Sequence, residues 1–416
     1  MKRKPLVTLL IIALVAPFGL VHAQGEPITI RFWHTYNEVS PENQMLVETL
    51  IPLFEAAHPG IRVQSVPFPY GEFRQTIITS LAGEEGPDLA RLDIIWSPEF
   101  ADLGALEALD EVMPDFGALA AEVFPGPLST NFYEGHYYGL PLDTNTRVWL
   151  WNETVYAQAG ISEPPATIDD LRAQCEAIRA LGEDMYVFGD GGTYGWAVLP
   201  WIWSFGGSLT DPDITTATGY VNSPETVAAY TFLRDMIADG CFSPSFFGGV
   251  DSANQYFTNR FSAILDGPWM FPIGEAQFPD FTLRTALMPA GEGGSISVVG
   301  GENIALFRHP RPDQARLEAA LEFLRFTQSD EYQLRMSETG QLTVLPRLLE
   351  TEYYQNHPYY GVYLEQLETA RARTPHPAWN RMEEQLTNMG QMILRGEVEP
   401  QEGLDELASI LDGMLR

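Results

Sequence analysis

Apolar and polar positions alternate over Ile28-Thr29-Ile30-Arg31-Phe32, which predicts a strand. Ser40-Pro41 then supplies an N-cap and a first-turn proline, and Leu46, Leu50, Leu53, Phe54 and Ala57 share one helical face. Gly60 is expected to stop that helix. Residues 61–66 read as a second strand, 72–82 as a helix and 89–96 as a buried strand. This β-α-β-α-β order implies an α/β protein with a mostly parallel sheet and helices on its faces. The same grammar returns downstream. Thr167-Ile168-Asp169-Asp170 is a capping box opening a helix with Leu171, Cys175, Ile178 and Leu181 on one face. Ser223-Pro224 opens a helix that Gly240 closes, and another follows Pro312 with Leu317, Ala320, Leu321 and Leu324 in register. From Trp379 onward Met382, Leu386, Met389 and Ile393 keep helical spacing. No short-period repeat or low-complexity linker interrupts the chain, so two α/β lobes are expected rather than a string of small domains.

Composition narrows the function. The 416 residues carry 24 Lys+Arg against 56 Asp+Glu, a formal charge of -32. Three of the bases, Lys2, Arg3 and Lys4, stand at the N-terminus, and beyond them there is no lysine at all. Such a surface repels phosphate backbones and anionic headgroups, which argues against nucleic-acid and membrane-surface partners. The three N-terminal bases precede a short apolar run from Leu6 to Val15, a break at Pro17 and Gly19, and Val21-His22-Ala23. This pattern predicts a signal peptide over 1–23, cleaved after Ala23, and an exported soluble protein, periplasmic or otherwise extracytoplasmic. No cysteine lies near the cut, so a lipoprotein anchor is not expected.

Catalytic signatures are missing. The chain has no HExxH, paired CxxC, GxSxG or Walker lysine loop, and its seven histidines are dispersed. Neither a metal nor a cofactor is expected. Gly189-Asp190-Gly191-Gly192 lacks the lysine of a phosphate loop and reads as a turn. A secreted carbohydrate-active enzyme stays open as an alternative, because glycoside hydrolysis needs only two carboxyl groups. The aromatics are more informative. Trp33-His34 follows the first strand, Trp96 ends the third, Trp196, Trp201 and Trp203 precede Gly206-Gly207, and Trp269 follows Gly267-Pro268. In open α/β sheets ligands collect at the carboxyl ends of strands. Indole faces there would stack on the C–H faces of sugar rings while Asp, Asn and Glu take the hydroxyls.

Several segments in a fixed order resemble the family 1 extracellular solute-binding proteins, the sugar-binding components of ABC importers related to maltose-binding protein. They are FWH (32–34), LFEAAHPGIRVQSVPFPY (53–70), GPDLARLDIIW (86–96), LGALEALD, YGLPLDTNTRVWLWN (138–152), DGPWMF (266–271) and GGENIAL (300–306). The resemblance implies a two-lobed periplasmic-binding-protein-like fold, with a ligand cleft between lobes joined by hinge crossings. One lobe would hold 26–142 plus 300–345, the other 143–299 plus 346–416. It further implies a monomer that binds a sugar, oligosaccharide or polyol, closes, and is read by membrane permease subunits. A member of the same family binding glycerol 3-phosphate or a related phosphodiester is the second reading.

Carried over position by position, the resemblance implies ligand contacts at Trp33, His34 and Asn37 in the first strand–helix loop, Tyr70 after the second strand, and Trp96 and Glu99 after the third. Asp143, Asn145 and Arg147 surround the first crossing, where maltose-type relatives place an acid; Asn145 occupies that position here, leaving Asp143 as the alternative acid. Trp196 and Trp269 resemble stacking residues, Glu302 follows the return crossing, and Trp379 matches a C-terminal stacking position. For the only cysteines, Cys175 and Cys241, two readings stand: a disulfide suited to an oxidising compartment, or buried free thiols packing as small apolar groups.

Overall fold

The computed structural model describes residues 26–81, 83 and 86–416. The segment 1–23, expected to be a signal peptide, and Ala82 at the end of the predicted helix 72–82 lie outside the described residues.

β1 (Ile28–His34), β2 (Ile61–Pro67) and β3 (Leu89–Asp93) are parallel neighbours. After the small hairpin of β4 (Phe132–Tyr133) and β5 (His136–Tyr137), β6 (Gly139–Thr146) joins the same sheet and β7 (Val148–Asn152) leaves it. β7 lies between β8 (Ala263–Asp266) and β9 (Leu283–Ala286) in a separate antiparallel sheet. β10 (Val299–Leu306) returns to the first sheet, antiparallel to both β3 and β6, giving the order β2-β1-β3-β10-β6. The molecule is therefore built on two sheets, and Arg147 is the single residue between the last strand of one and the central strand of the other.

Period-two alternation places Ile30 and Phe32 of β1 on one face, buried against Leu46, Leu50, Phe54, Phe323 and Leu324 of the flanking helices. Trp33 goes to the opposite face with Ala90, Leu92, Phe73 and Ile77. On the second sheet Trp149 faces the helices Ile168–Arg179, Gly195–Ser204, Pro224–Ala238 and Trp379–Leu394, while Val148 and Leu150 face a cluster rich in Tyr and Phe. The caps form as the sequence predicts. Ser40 accepts from Asn43 N, Thr167 and Asp170 form a reciprocal box, and Ser223 accepts from Thr226 N.

Four predictions are corrected. The sheets are not mostly parallel: β10 runs against both its neighbours, because it returns from the other half of the chain, and the second sheet is wholly antiparallel. Leu181 lies past the end of the Ile168–Arg179 helix, so it leaves the apolar face and is 37% exposed. The strand expected over 89–96 stops at Asp93, because the Asp93 carboxylate accepts from Ile95 N at 3.0 Å and turns the chain into the Ser97–Asp102 helix. On the first helix, Leu53 and Ala57 face outward, and Leu53 is 42% exposed. A π-turn over Leu46–Leu50 rotates the following residues about the axis, so Ile51 joins Phe54 inside instead. Of the two readings of the cysteines, the structure holds the bridge: Cys175 and Cys241 are disulfide-bonded, with Cα atoms 5.3 Å apart. Among the described residues no helix is long and apolar enough to cross a membrane, and no group of three His, Cys, Asp or Glu could hold a metal ion.

Candidate ligand-binding cleft

The carboxyl ends of β1 and β3, the start of β10 and the end of β6 open onto a cleft of about 580 Å³. Its floor is polar. Arg91 and Asp93 stand two apart on β3, so both side chains leave the same face of the sheet. Arg91 Nη2 lies 2.6 Å from Glu302 Oε2 and 3.2 Å from Asp143 Oδ2, Arg91 Nη1 donates to Thr35 Oγ1 at 2.8 Å, and the guanidinium sits 4.3 Å from the Tyr36 ring centre. Asp93 accepts from Tyr70 Oη at 2.7 Å and from Arg373 Nη2 at 3.1 Å. Burial pushes the Glu302 and Glu383 carboxyls above their ordinary range, against the pull of Arg91 on the first and Arg373 on the second.

The facing wall comes from the first turn of the Gly195–Ser204 helix. Glu383 Oε1 accepts from Gly195 N at 3.0 Å, occupying a helix N-terminal amide. Trp196 and Trp269 stack with ring centres 6.4 Å apart and planes 27° from parallel. Arg373 and Arg147 lie 5.4 and 5.8 Å from the Trp196 ring, within cation–π range. Gly300 is required here, since a Cβ on it would collide with Asn145 Oδ1 and the Trp196 ring. Gly301 adopts φ +131°, where a Cβ would meet the Asp143 carbonyl.

Six residues singled out in the sequence reach this cleft: Asn37, Tyr70, Asn145, Trp196, Trp269 and Glu302. The other seven stand behind it or away from it. Trp33 is buried against Phe68 at 4.7 Å. His34 is fully buried, with Nε2 2.7 Å from Ser65 Oγ. Trp96 is buried beneath Tyr70, which stacks on it at 5.1 Å. Glu99 is held by Arg74 and by Asn380 Nδ2 at 2.9 Å. Asp143 supports Arg91 from below. Arg147 donates to Asp190 Oδ2 at 2.7 Å, to the Trp196 carbonyl at 2.8 Å and to the Leu265 carbonyl at 3.0 Å, so it anchors the wall. Trp379 is fully buried against Gly195.

Sequence reasoning missed Tyr36, Arg91, Asp93, Tyr194, Gln341, Arg373 and Glu383 as cleft residues. A signal existed for two of them: Arg91 and Asp93 are charges spaced i, i+2 inside an otherwise apolar stretch, LARLDIIW. Arg373 and Glu383 carry no such mark, since they arrive from the C-terminal segment. A second depression of about 570 Å³ lies at the opposite end of β3 and β10, walled by the Asp88–Arg316 pair and the 310–312 loop rather than by a set of aromatic rings.

Two α/β halves, chain crossings between them and a polar, aromatic cleft define a ligand-binding protein of the two-lobed periplasmic type. Residues 37–334 match the sequence model described as bacterial extracellular solute-binding protein, and the chain belongs to that family. A binding protein of Brucella abortus (strain 2308) is 26% identical over 394 residues, covering 92% of each chain. An sn-glycerol-3-phosphate-binding periplasmic protein of Salmonella paratyphi A is 25% identical over 276 residues, 63% of this chain and 61% of that one. The crystal structure of an ABC transporter solute-binding protein from Thermotoga lettingae, bound with α-D-tagatose, superposes with a TM-score of 0.83 at 25% identity, covering 94% of this chain and 100% of that one.

Proposed function

We propose that this protein captures an uncharged polyhydroxylated ligand, a sugar, oligosaccharide or polyol, in the cleft between its lobes and delivers it to the permease of an ABC importer by lobe closure. The lobes in this reading are 26–142 plus 300–345 and 143–299 plus 346–416, and the exported chain acts as a monomer after loss of 1–23. The observation that carries the ligand class is the charge of the lining. Two guanidiniums, Arg91 and Arg373, face four carboxyls, Glu42, Asp93, Glu302 and Glu383, and Asp143 stands behind Arg91. Both arginines are already paired, so no surplus positive charge is offered to a phosphate. The Trp196–Trp269 pair and the tyrosines supply flat apolar faces beside those polar groups, the combination that a sugar ring needs.

The relative that binds sn-glycerol 3-phosphate keeps a second reading in view, in which Arg373 exchanges Asp93 for a phosphate. Intrinsic tryptophan fluorescence against mono- and oligosaccharides, polyols and sn-glycerol 3-phosphate separates the two. A saturable change with a neutral sugar, a raised melting temperature and no product after long incubation is expected. Saturation by the phosphoester alone selects the second reading, and turnover of a glycoside moves the protein to the enzyme class.

A further inference from the structure

Gln341 comes from the chain segment that follows the Asp330–Ser337 helix, and nothing in its sequence surroundings marks it. In the fold, that segment runs beside the end of β6. Thr144 bridges Leu342 in antiparallel sense, and Thr144 N donates to the Leu342 carbonyl at 3.3 Å. Continuing that register by one residue sets Asn145 opposite Gln341, and opposite residues of an antiparallel pair project from the same face. On the other side of β6, Asn145 pairs with Gly300. Gly300, Asn145 and Gln341 thus form one row across three adjacent segments, and all three line the cleft.

The two amides are almost fully enclosed, each 5% exposed, yet they are poorly satisfied. Asn145 Oδ1 and Gln341 Oε1 have no hydrogen-bond partner, and Gln341 Nε2 reaches only Glu42 Oε1, at 3.4 Å. An enclosed amide with spare donor and acceptor capacity is costly unless something else completes it. The segment also runs close to the stacking indole's backbone: at Gly340, φ +96°, an added Cβ would come within 3.3 Å of Trp269 Cα and the Pro268 carbonyl oxygen, so only glycine fits there.

We propose that Gln341 is a ligand-recognition residue, acting with Asn145 as a pair of amides that hydrogen-bond two neighbouring hydroxyls of one sugar ring while Trp269 covers a face of the ligand. A hydroxyl both donates and accepts, as an amide does, so two hydroxyls complete the row that the protein leaves open. Gly300 carries no side chain, which lets Asn145 and the Trp196 ring pack together over its Cα. The inference rests on the reading of the cleft as a site for an uncharged polyhydroxylated ligand.

The test is calorimetric titration of the mature chain with maltose, maltotriose, D-tagatose, glycerol and sn-glycerol 3-phosphate, followed by the same titrations on Gln341→Leu and the shape-conserving Gln341→Glu. For the tightest neutral ligand, Gln341→Leu is expected to weaken binding about tenfold or more while the ligand-free melting temperature stays near wild type. Monodeoxy analogues of that ligand give a readout that a packing role would not move: at least one should lose affinity for wild type and lose nothing further on Gln341→Leu. If Gln341→Leu does not fold, Gln341→Glu carries the comparison. Wild-type affinity in a folded variant overturns this proposal alone. A wild-type chain that binds only sn-glycerol 3-phosphate, or nothing in the panel, overturns the reading of the cleft and this proposal with it.

Discussion

Arg373 and Asp93 stand 280 positions apart, and their side chains meet at 3.1 Å. The two side chains are 6% and 10% exposed, so the pair joins the C-terminal segment to the end of β3 with little help from solvent. Removing one partner strands the other. Arg373→Met should cost about 3–5 kcal/mol of stability, and adding Asp93→Asn should recover part of that loss. Urea unfolding of wild type, the two single variants and the double variant measures the coupling; strictly additive effects would show that the pair does not act as one unit.

His34 predicts an acid sensitivity. Burial, and secondarily the charge of Arg91, holds its pKa down to about 3 from 6.5. Above pH 6.5 the ring is neutral in both folded and unfolded chains, and the stability of the neutral form is fully present. Below that, the unfolded chain takes up a proton that the native state refuses. Stability then falls by about 1.4 kcal/mol per pH unit until pH nears the folded value. The stability gap between wild type and His34→Gln should therefore narrow, or reverse, between pH 7 and pH 4. A gap independent of pH would mean that the ring titrates normally in the fold.

Two tryptophans should separate affinity from stability. Trp196 lines the cleft, and Trp196→Ala is expected to weaken ligand binding about 10- to 100-fold. Trp379 is fully buried away from the lining, so Trp379→Ala should destabilise by about 3–5 kcal/mol. Titration calorimetry and chemical denaturation on both variants check this. The assignment fails if folded Trp379→Ala loses more affinity than Trp196→Ala.

The Cys175–Cys241 bridge spans 66 residues, and a loop of that length implies a stabilisation of about 4 kcal/mol through the unfolded chain. Neither cysteine lines the cleft. The double variant Cys175→Ala/Cys241→Ala should melt lower by several degrees in scanning calorimetry and bind ligand as wild type does. Lost binding with unchanged melting would reverse that assignment.

Elements governed by local periodicity were legible in the sequence: β1, the capped helices at Ser40, Thr167 and Ser223, and the Met382–Ile393 stripe all follow from spacing and caps. Leu53 was misplaced because a π-turn shifts register without leaving a trace in the hydrophobic pattern. The cleft was harder, because it depends on which face of an element a residue leaves. Trp96 and Tyr70 illustrate this: both follow strands and both are aromatic, yet Tyr70 lies over Trp96 and only Tyr70 reaches the lining. Arg373, Glu383 and Gln341 enter through contacts across hundreds of positions, and spacing along a chain says nothing of those.

The row of residues that lines the cleft begins at Thr35 and ends at Glu383. A chain emerging from the ribosome completes β1, β2 and β3 early, but Asp93 waits for Arg373, 280 positions on, and Gly195 waits for Glu383, 188 positions on. The half-made site is then a set of acids and rings without their counterparts. Competence to bind is consequently a property that this protein acquires only after residues 373 and 383 have been made, and a chain cut short before residue 373 holds the strands of the first sheet without the completed site.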